Sequence, residues 1–253
     1  MSARLYWMSL SHPSQAVRKM LDLKRVPYEL VNVLPLNQRF HLRLVGFRGG
    51  TVPAIKLDGR RVQGSREIAR VLDELWPEPP LFPRDPEARK VVEDAERWGE
   101  QHLQPIPRRI ARYGAISNLE LRRWVARGAR MPAADFLARV TVPAVRYYAR
   151  TIEADGRRAT EAGVRADLEA LPAVLDHAEK LLTDGILTTD PPNAATLQIM
   201  ASVSLLDAHT DLHELIGERP SAKLAWELYP DYPRGLPRFL PQEWLKPLRL
   251  AVR

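Results

Sequence analysis

The segment Thr51–Leu75, TVPAIKLDGRRVQGSREIARVLDEL, constrains the fold more than any other stretch of the chain. Ile55 and Leu57 alternate with polar neighbours, which is the period of a half-buried strand. Asp58-Gly59 supplies the two-residue turn of a tight hairpin, and Arg60–Gln63 returns as the partner strand. Ile68, Val71, Leu72 and Leu75 then recur at i, i+3, i+4 and i+7, so the period switches to that of a helix, with Ser65 predicted as its N-cap.

The residues before this unit supply the rest of a sheet. Arg4–Ser9 (RLYWMS) is a short apolar run suited to a buried strand. Ser11 is a good N-cap, Pro13 fits a first turn, and Val17, Met20, Leu21 and Lys24 fall at helical spacing up to about Val26. Pro27 breaks that helix, and Tyr28–Val33 reads as a second strand, which makes a βαβ unit with parallel strands. A weaker helix is predicted near Asn37–Val45. The order is β-α-β, then α, then β-β-α.

Trp76–Pro86 (WPEPPLFPRDP) holds five prolines, a composition that stops helices and stiffens linkers. Beyond it strand patterns nearly vanish. Glu87–Leu103 is amphipathic, and helical stretches recur near residues 117–130, 133–152, 164–183 and 194–208, with kinks or breaks expected at Pro105, Pro107, Pro143 and Pro172. The proline-bearing last 25 residues read as an extended tail. The expected organisation is a domain over 1–76, a linker over 77–86 and an all-helical domain over 87–253.

Composition narrows the function. With no cysteine among 253 residues, disulfides, thiolate metal sites and an enzyme thiol nucleophile are excluded. No stretch approaches the roughly 18 apolar residues of a membrane span, and the N-terminus lacks a basic region followed by an apolar run, so a cytoplasmic address and no membrane partner are expected. The net charge of +7 is spread along the chain without a nucleic-acid motif, so it reads as a solvated surface and not as a nucleic-acid site.

Three pieces, in order, resemble the glutathione transferase family: SHPSQAVRKML after the first strand, Thr51-Val52-Pro53 before the hairpin, and Gln63-Gly64-Ser65 followed by REIARVLDEL. The resemblance covers the N-terminal region and linker well and the helical region in outline. It implies an α/β thioredoxin-like domain followed by an all-α domain, and a homodimer. It also implies a cis Val52–Pro53 bond whose Val52 backbone pairs with the cysteinyl part of glutathione, and a helix start at Ser65 that holds the γ-glutamyl carboxylate. Gln63 and Gly64 complete that glutathione-binding set. Gly64 departs from the family, which often carries Glu, Asp or Gln there. The order His12-Pro13 leaves open whether Ser11 or Ser14 faces the sulfur, with Tyr6 as a lesser candidate.

The chemistry is physically reasonable. A helix N-terminus presents unpaired N–H groups and partial positive charge to a carboxylate. A thiol of pKa near 8.5 must be depressed by about two pKa steps to be mostly ionised at neutral pH, roughly 2.7 kcal/mol. A charge-assisted hydrogen bond of ~1.5–3 kcal/mol plus a helix end of ~0.3–1 kcal/mol is the right size. Each residue also has a plainer reading: Ser11 and Ser65 as caps, Pro53 as a loop break, Tyr6 as core. Trp98, His102, Arg109 and Tyr113 are either second-substrate residues or ordinary packing. The pair His209 and His213 has zinc-like spacing but lacks the glutamate of the zinc-protease pattern, so no metal is expected. Asn193–Thr196 reads as a structural capping box.

The expected function is conjugation of glutathione, or a related thiol, to a small hydrophobic electrophile, as in detoxification, with no cofactor beyond the thiol substrate. The alternative is a non-catalytic binding or scaffold protein on the same fold. Without cysteine, disulfide reductase chemistry has no enzyme thiolate to use.

Overall fold

A computed structural model of the chain describes residues 3–35, 37–129, 131, 133–149 and 156–251. Four strands, β1 (Ala3–Trp7), β2 (Tyr28–Asn32), β3 (Ala54–Leu57) and β4 (Arg60–Gln63), form one sheet in the order β2-β1-β3-β4. β1 runs parallel to β2, with Leu5 opposite Leu30, and antiparallel to β3, with Tyr6 opposite Ala54. The β3–β4 hairpin turns on Asp58 and Gly59 at φ 43° and 93°. Positive φ at both central residues matches the right-handed twist of the flanking strands, which explains the Asp-Gly pair.

Helix α1 (His12–Leu23) connects β1 to β2, α2 (Gln38–Leu44) precedes β3, and α3 (Ser65–Leu75) follows β4. The α1 and α3 helices pack on each other and on β1 and β3. Their inward stripes, Val17, Met20 and Leu21 on α1 and Ile68 and Leu72 on α3, have no solvent exposure, nor do Leu5 and Ile55 of the sheet. Each such side chain contributes roughly 1.5–3 kcal/mol by leaving water. A second cluster joins Tyr6, Val33, Leu42, Phe47, Val52 and Ala54. The result is the thioredoxin-like mixed sheet expected from the sequence.

The rest is helical: α4 (Pro86–Trp98), a π-helical turn (Gly99–Leu103), α5 (Pro105–Ser117), α6 (Leu119–Gly128), α7 (Ala134–Val140) and α8 (Val142–Ala149) come first. There follow α9 (Glu161–Thr183), α10 (Ala194–Asp207), α11 (Thr210–Ile216), α12 (Pro220–Leu228), a 3-10 turn (Gln242–Leu245) and α13 (Lys246–Ala251). Pro105 and Pro107 open α5 and Pro143 lies in the first turn of α8, where a missing N–H costs nothing, whereas Pro172 lies inside α9. The tail is less extended than expected. It ends in helical turns because Trp244, Leu245 and Leu248 are buried. Parts of the predicted stretches 117–130 and 133–152 (130 and 150–152) and the last two residues lie outside the described residues.

Packing groups Met1–Arg97 with Leu181–Ala201 as one compact unit, and Trp98–Lys180 with Ser202–Arg253 as a second. Within the first, Lys24 is a tether: its fully buried side chain pairs with Asp73 at 3.2 Å and donates to the carbonyls of Trp76 and, at 2.9 Å, Pro79. Asp73 also accepts from the Leu81 N–H at 2.7 Å, so α1 and α3 together hold the proline-rich segment. Within the second, Arg109 of α5 and Asp167 of α9 form a fully buried bidentate pair with both bonds at 2.6 Å.

Candidate functional site

Strand register brings the three sequence motifs to one end of the sheet. β1 ends at Trp7 where β3 begins, with Tyr6 opposite Ala54, and Ala54 is in turn opposite Gln63 at the end of β4. The Gly64 N–H donates to the Pro53 carbonyl at 3.0 Å, which ties the start of α3 to the Val52–Pro53 peptide. That peptide is cis. Among the described residues no hydrogen bond uses the N–H or C=O of Val52.

At the start of α1, Ser11 is the N-cap, as its sequence position suggested, and its Oγ accepts from the Ser14 N–H at 3.4 Å. The Ser14 hydroxyl donates to Ser11 Oγ at 2.9 Å. Ser14 is fully buried and Ser11 only partly so. Gln15 fixes the preceding turn by donating to the Ser9 carbonyl at 2.6 Å. Tyr6 lies in the core, edge-on to Phe47 at 5.3 Å and to His41 at 6.0 Å.

At the start of α3, Gly64 occupies the N-cap position and Ser65 is the first helical residue, which corrects the expectation that Ser65 is the cap. The backbone is the reason: Gly64 has φ 97° and ψ 139°, a region essentially reserved for glycine. A Cβ at Gly64 would also come within 2.3 Å of Glu67 Oε2, so the Glu67 carboxylate folds back over the helix start. Gln63 braces the loop before Pro53. Its Oε1 accepts from the Gly49 N–H at 2.9 Å and its Nε2 donates to the Thr51 carbonyl at 2.7 Å.

Sequence reasoning missed what stands behind Ser65. The buried Ser65 hydroxyl bonds to Gln198 Oε1 at 2.8 Å, and Gln198 Nε2 donates to Glu96 Oε1. Glu96, 1% exposed, accepts on Oε2 from Arg66 at 3.1 Å and from Arg70 at 2.8 Å. Ser65 and Gln198 are 133 residues apart, and Gln198 follows the Asn193 cap of α10 with nothing to mark it.

In the second unit, Trp98 stacks on His177 at 4.3 Å and on His102 at 6.3 Å, and Tyr113 packs on Trp244 at 5.8 Å. Burial, with the charge of Glu161 nearby, raises the Tyr113 pKa above the ordinary phenol value. Arg109 is committed to Asp167 as a packing residue. His209 and His213 do not form a chelating pair: His209 precedes α11, buried edge-on to Phe239 at 5.6 Å, and His213 Nδ1 lies 2.8 Å from Asp207. Among the described residues no three His, Cys, Asp or Glu side chains group as metal ligands would.

This sheet, with a cis-proline before the third strand and helices after the hairpin, is the architecture of the glutathione transferases. Residues 5–80 match the family model for the glutathione S-transferase N-terminal domain. Solved structures agree over nearly the whole length. Glutathione transferase F2 from Populus trichocarpa is 20% identical with a TM-score of 0.57, the match covering 98% of each chain. A glutathione S-transferase from Sinorhizobium meliloti 1021 is 18% identical with a TM-score of 0.58, covering 98% of this chain and 99% of that one. Beta-etherase LigF from Sphingobium sp. strain SYK-6 is 19% identical with a TM-score of 0.60, covering 90% of this chain and 99% of that one. Among curated proteins none matches the sequence. Among the described residues no helix is long and apolar enough to cross a membrane.

Proposed function

We propose that the chain is a glutathione transferase-like enzyme of the serine type, which binds glutathione or a related thiol at the sheet end described above and adds it to a hydrophobic electrophile. The observation that carries this reading is the hydroxyl pair at the head of α1. Because Ser14 donates to Ser11 Oγ, the proton of Ser11 is left for an outside acceptor, at a helix end whose dipole favours an anion. A thiolate is such an acceptor. Ser11 is therefore the residue assigned to the sulfur, with Ser14 behind it.

Val52 has the free strand edge on which a cysteinyl backbone pairs, and the N–H groups opening α3 suit a carboxylate. Gln63 acts on the ligand through the loop it braces. In the reaction the thiol proton goes to water, the thiolate pair forms a sulfur–carbon bond, and the electrophile either releases its leaving group with the electrons of the bond that breaks or, in addition across a carbon–carbon double bond, takes the displaced π pair onto carbon together with a proton from water. Trp98, His102 and Tyr113 are the side chains assigned to the electrophile. The family resemblance adds a homodimer and a cytoplasmic, detoxifying role to the proposal. Ser11→Ala should bind glutathione nearly as well as the parent and lose about 10- to 100-fold in turnover, the value of one charge-assisted hydrogen bond. Calorimetric titration with a conjugation assay on the same samples tests this. Equal turnover in the variant removes Ser11 from the mechanism, and no binding at millimolar thiol removes the enzyme reading in favour of a scaffold protein.

A further inference from the structure

The positive charge that reads in the sequence as a dispersed, solvated surface is gathered by the fold on one side of the N-terminal sheet. Residues 37–63 hold six Arg and Lys and one Asp, so this short stretch supplies five of the chain's seven net positive charges. Strand register aligns part of it. Arg4 of β1 stands opposite Lys56 of β3, and Lys56 stands opposite Arg61 of β4, so three cations share one row across the sheet. Like charges directly opposite one another cost stability, and among the described residues Arg4 alone of the three has a carboxylate, that of Glu29 at 2.7 Å. Tyr6, two residues on from Arg4 and so on the same side of β1, packs with Leu42 of α2, which puts the row and α2 on one side of the sheet. Arg61 joins them, since its Nε donates to the Val45 carbonyl at the end of α2 at 3.1 Å.

Helix α2 turns Gln38 and Leu42 inward, 2% and 0% exposed. One position on, Arg39 and Arg43 make an exposed row at i, i+4, and Phe40 and Leu44 make a second row beside it, 70% and 74% exposed. Arg48 follows, also exposed. Among the described residues the side chains of Arg39, Arg43, Arg48 and Lys56 have no hydrogen bond and no carboxylate within ion-pair distance. A surface built for solubility intersperses the two signs, and this one does not.

We propose that this face docks the protein on an anionic lipid bilayer, with Arg39, Arg43, Arg48, Lys56 and Arg61 at the headgroup phosphates and Phe40 and Leu44 in the acyl boundary beneath them. Charge names the partner: guanidinium groups without carboxylates match phosphate oxygens two at a time. The apolar row chooses among phosphates. A cationic row directly beside an apolar one fits a phosphate layer over hydrocarbon, whereas a nucleic acid or an acidic peptide would engage the cations and leave Leu44 in water. The opposite side of the sheet is covered by α1 and α3. The proposal therefore stands apart from the thiol chemistry at the head of α1.

Co-sedimentation of the full chain with phosphatidylcholine vesicles, with and without phosphatidylglycerol, tests this at low and at physiological salt. The parent should pellet with the anionic vesicles alone, and less so at the higher salt. Arg39→Gln/Arg43→Gln should weaken that binding about 30-fold, from about fivefold per cation at a charged bilayer. Phe40→Ser/Leu44→Ser should weaken it at least about tenfold. Arg139→Gln/Arg146→Gln, which removes two exposed cations of the other unit, should bind as the parent does. The exchanged side chains are exposed, so the variants should fold, which melting curves check; Arg43→Glu alone gives the same readout if a pair does not. A parent that stays in the supernatant with anionic vesicles at low salt overturns the proposal. So does a Phe40/Leu44 variant that binds them as tightly as the parent, or an equal loss in the Arg139/Arg146 pair, which would reduce the effect to bulk charge. Tighter binding of the parent to polyglutamate or duplex DNA than to the vesicles assigns the face to a soluble polyanion and also overturns it.

Discussion

Burial strips the His209 ring of water, and among the described residues neither ring nitrogen has a hydrogen-bond partner, so its pKa is pushed from 6.5 to about 4. The sign follows from proton linkage. Between those two values the unfolded chain binds the proton and the folded chain does not, so stability is full above about 6.5 and falls as the pH drops toward about 4. The size is on the order of 3 kcal/mol. Urea denaturation across that range should show the loss in the parent, and His209→Leu should flatten it; an unchanged slope would assign acid sensitivity to other groups. Gly64 makes the opposite point, about what a missing side chain permits. Gly64→Ala should cost about 1–3 kcal/mol because of its positive φ. Adding Glu67→Ala should not restore the loss, since a flexible carboxylate can move and the backbone cannot. In the sequence, Ser65 is read as a cap because serine is the commoner cap; the φ that makes Gly64 the cap is invisible there. Gln198 was still less legible, because its partner is fixed by tertiary packing and not by spacing.

At the scale of elements, the sheet was legible because each strand declares itself locally: a two-residue period, an Asp-Gly turn, a proline at a boundary. The helical region was less so. Pro105 and Pro107 read as a break, and one falls there: the π-helical turn ends at Leu103 and the two prolines open α5, though the sequence does not say that they sit in a first turn. The tail misled for a related reason: its prolines announce turns, while Trp244, Leu245 and Leu248 decide its packing. The cap of α10 was readable and behaves as read, with Asn193 Oδ1 accepting from the Thr196 N–H at 2.9 Å. Asn193→Ala should cost about 1 kcal/mol in urea denaturation. Lys24 joins α1 to the proline-rich segment, and its loss would leave Asp73 and two carbonyls without their cation. Lys24→Ala should therefore cost about 3–5 kcal/mol, the range for breaking a buried pair; a cost below about 1 kcal/mol would show that water replaces the ammonium.

For the molecule as a whole, the match of fold to the glutathione transferases is nearly complete in length while identity stays at 20% or below in the structures compared. Such a fold sets where a site lies and leaves its chemistry to a few side chains. In the proposed site those are two hydroxyls at the head of α1 and a free strand edge at Val52. If the site takes glutathione, ligand at ten times its Kd should stabilise the folded chain by about 1.4 kcal/mol and raise Tm by a few degrees. In the proposed reaction Ser11 holds the thiol of bound glutathione as a thiolate. Ultraviolet difference titration of the bound thiol measures that ionisation directly. A thiol pKa well below the free value of about 8.5 is expected in the parent, with a rise of about 1–2 pKa steps in Ser11→Ala. Bound glutathione that ionises alike in the parent and in Ser11→Ala would contradict it.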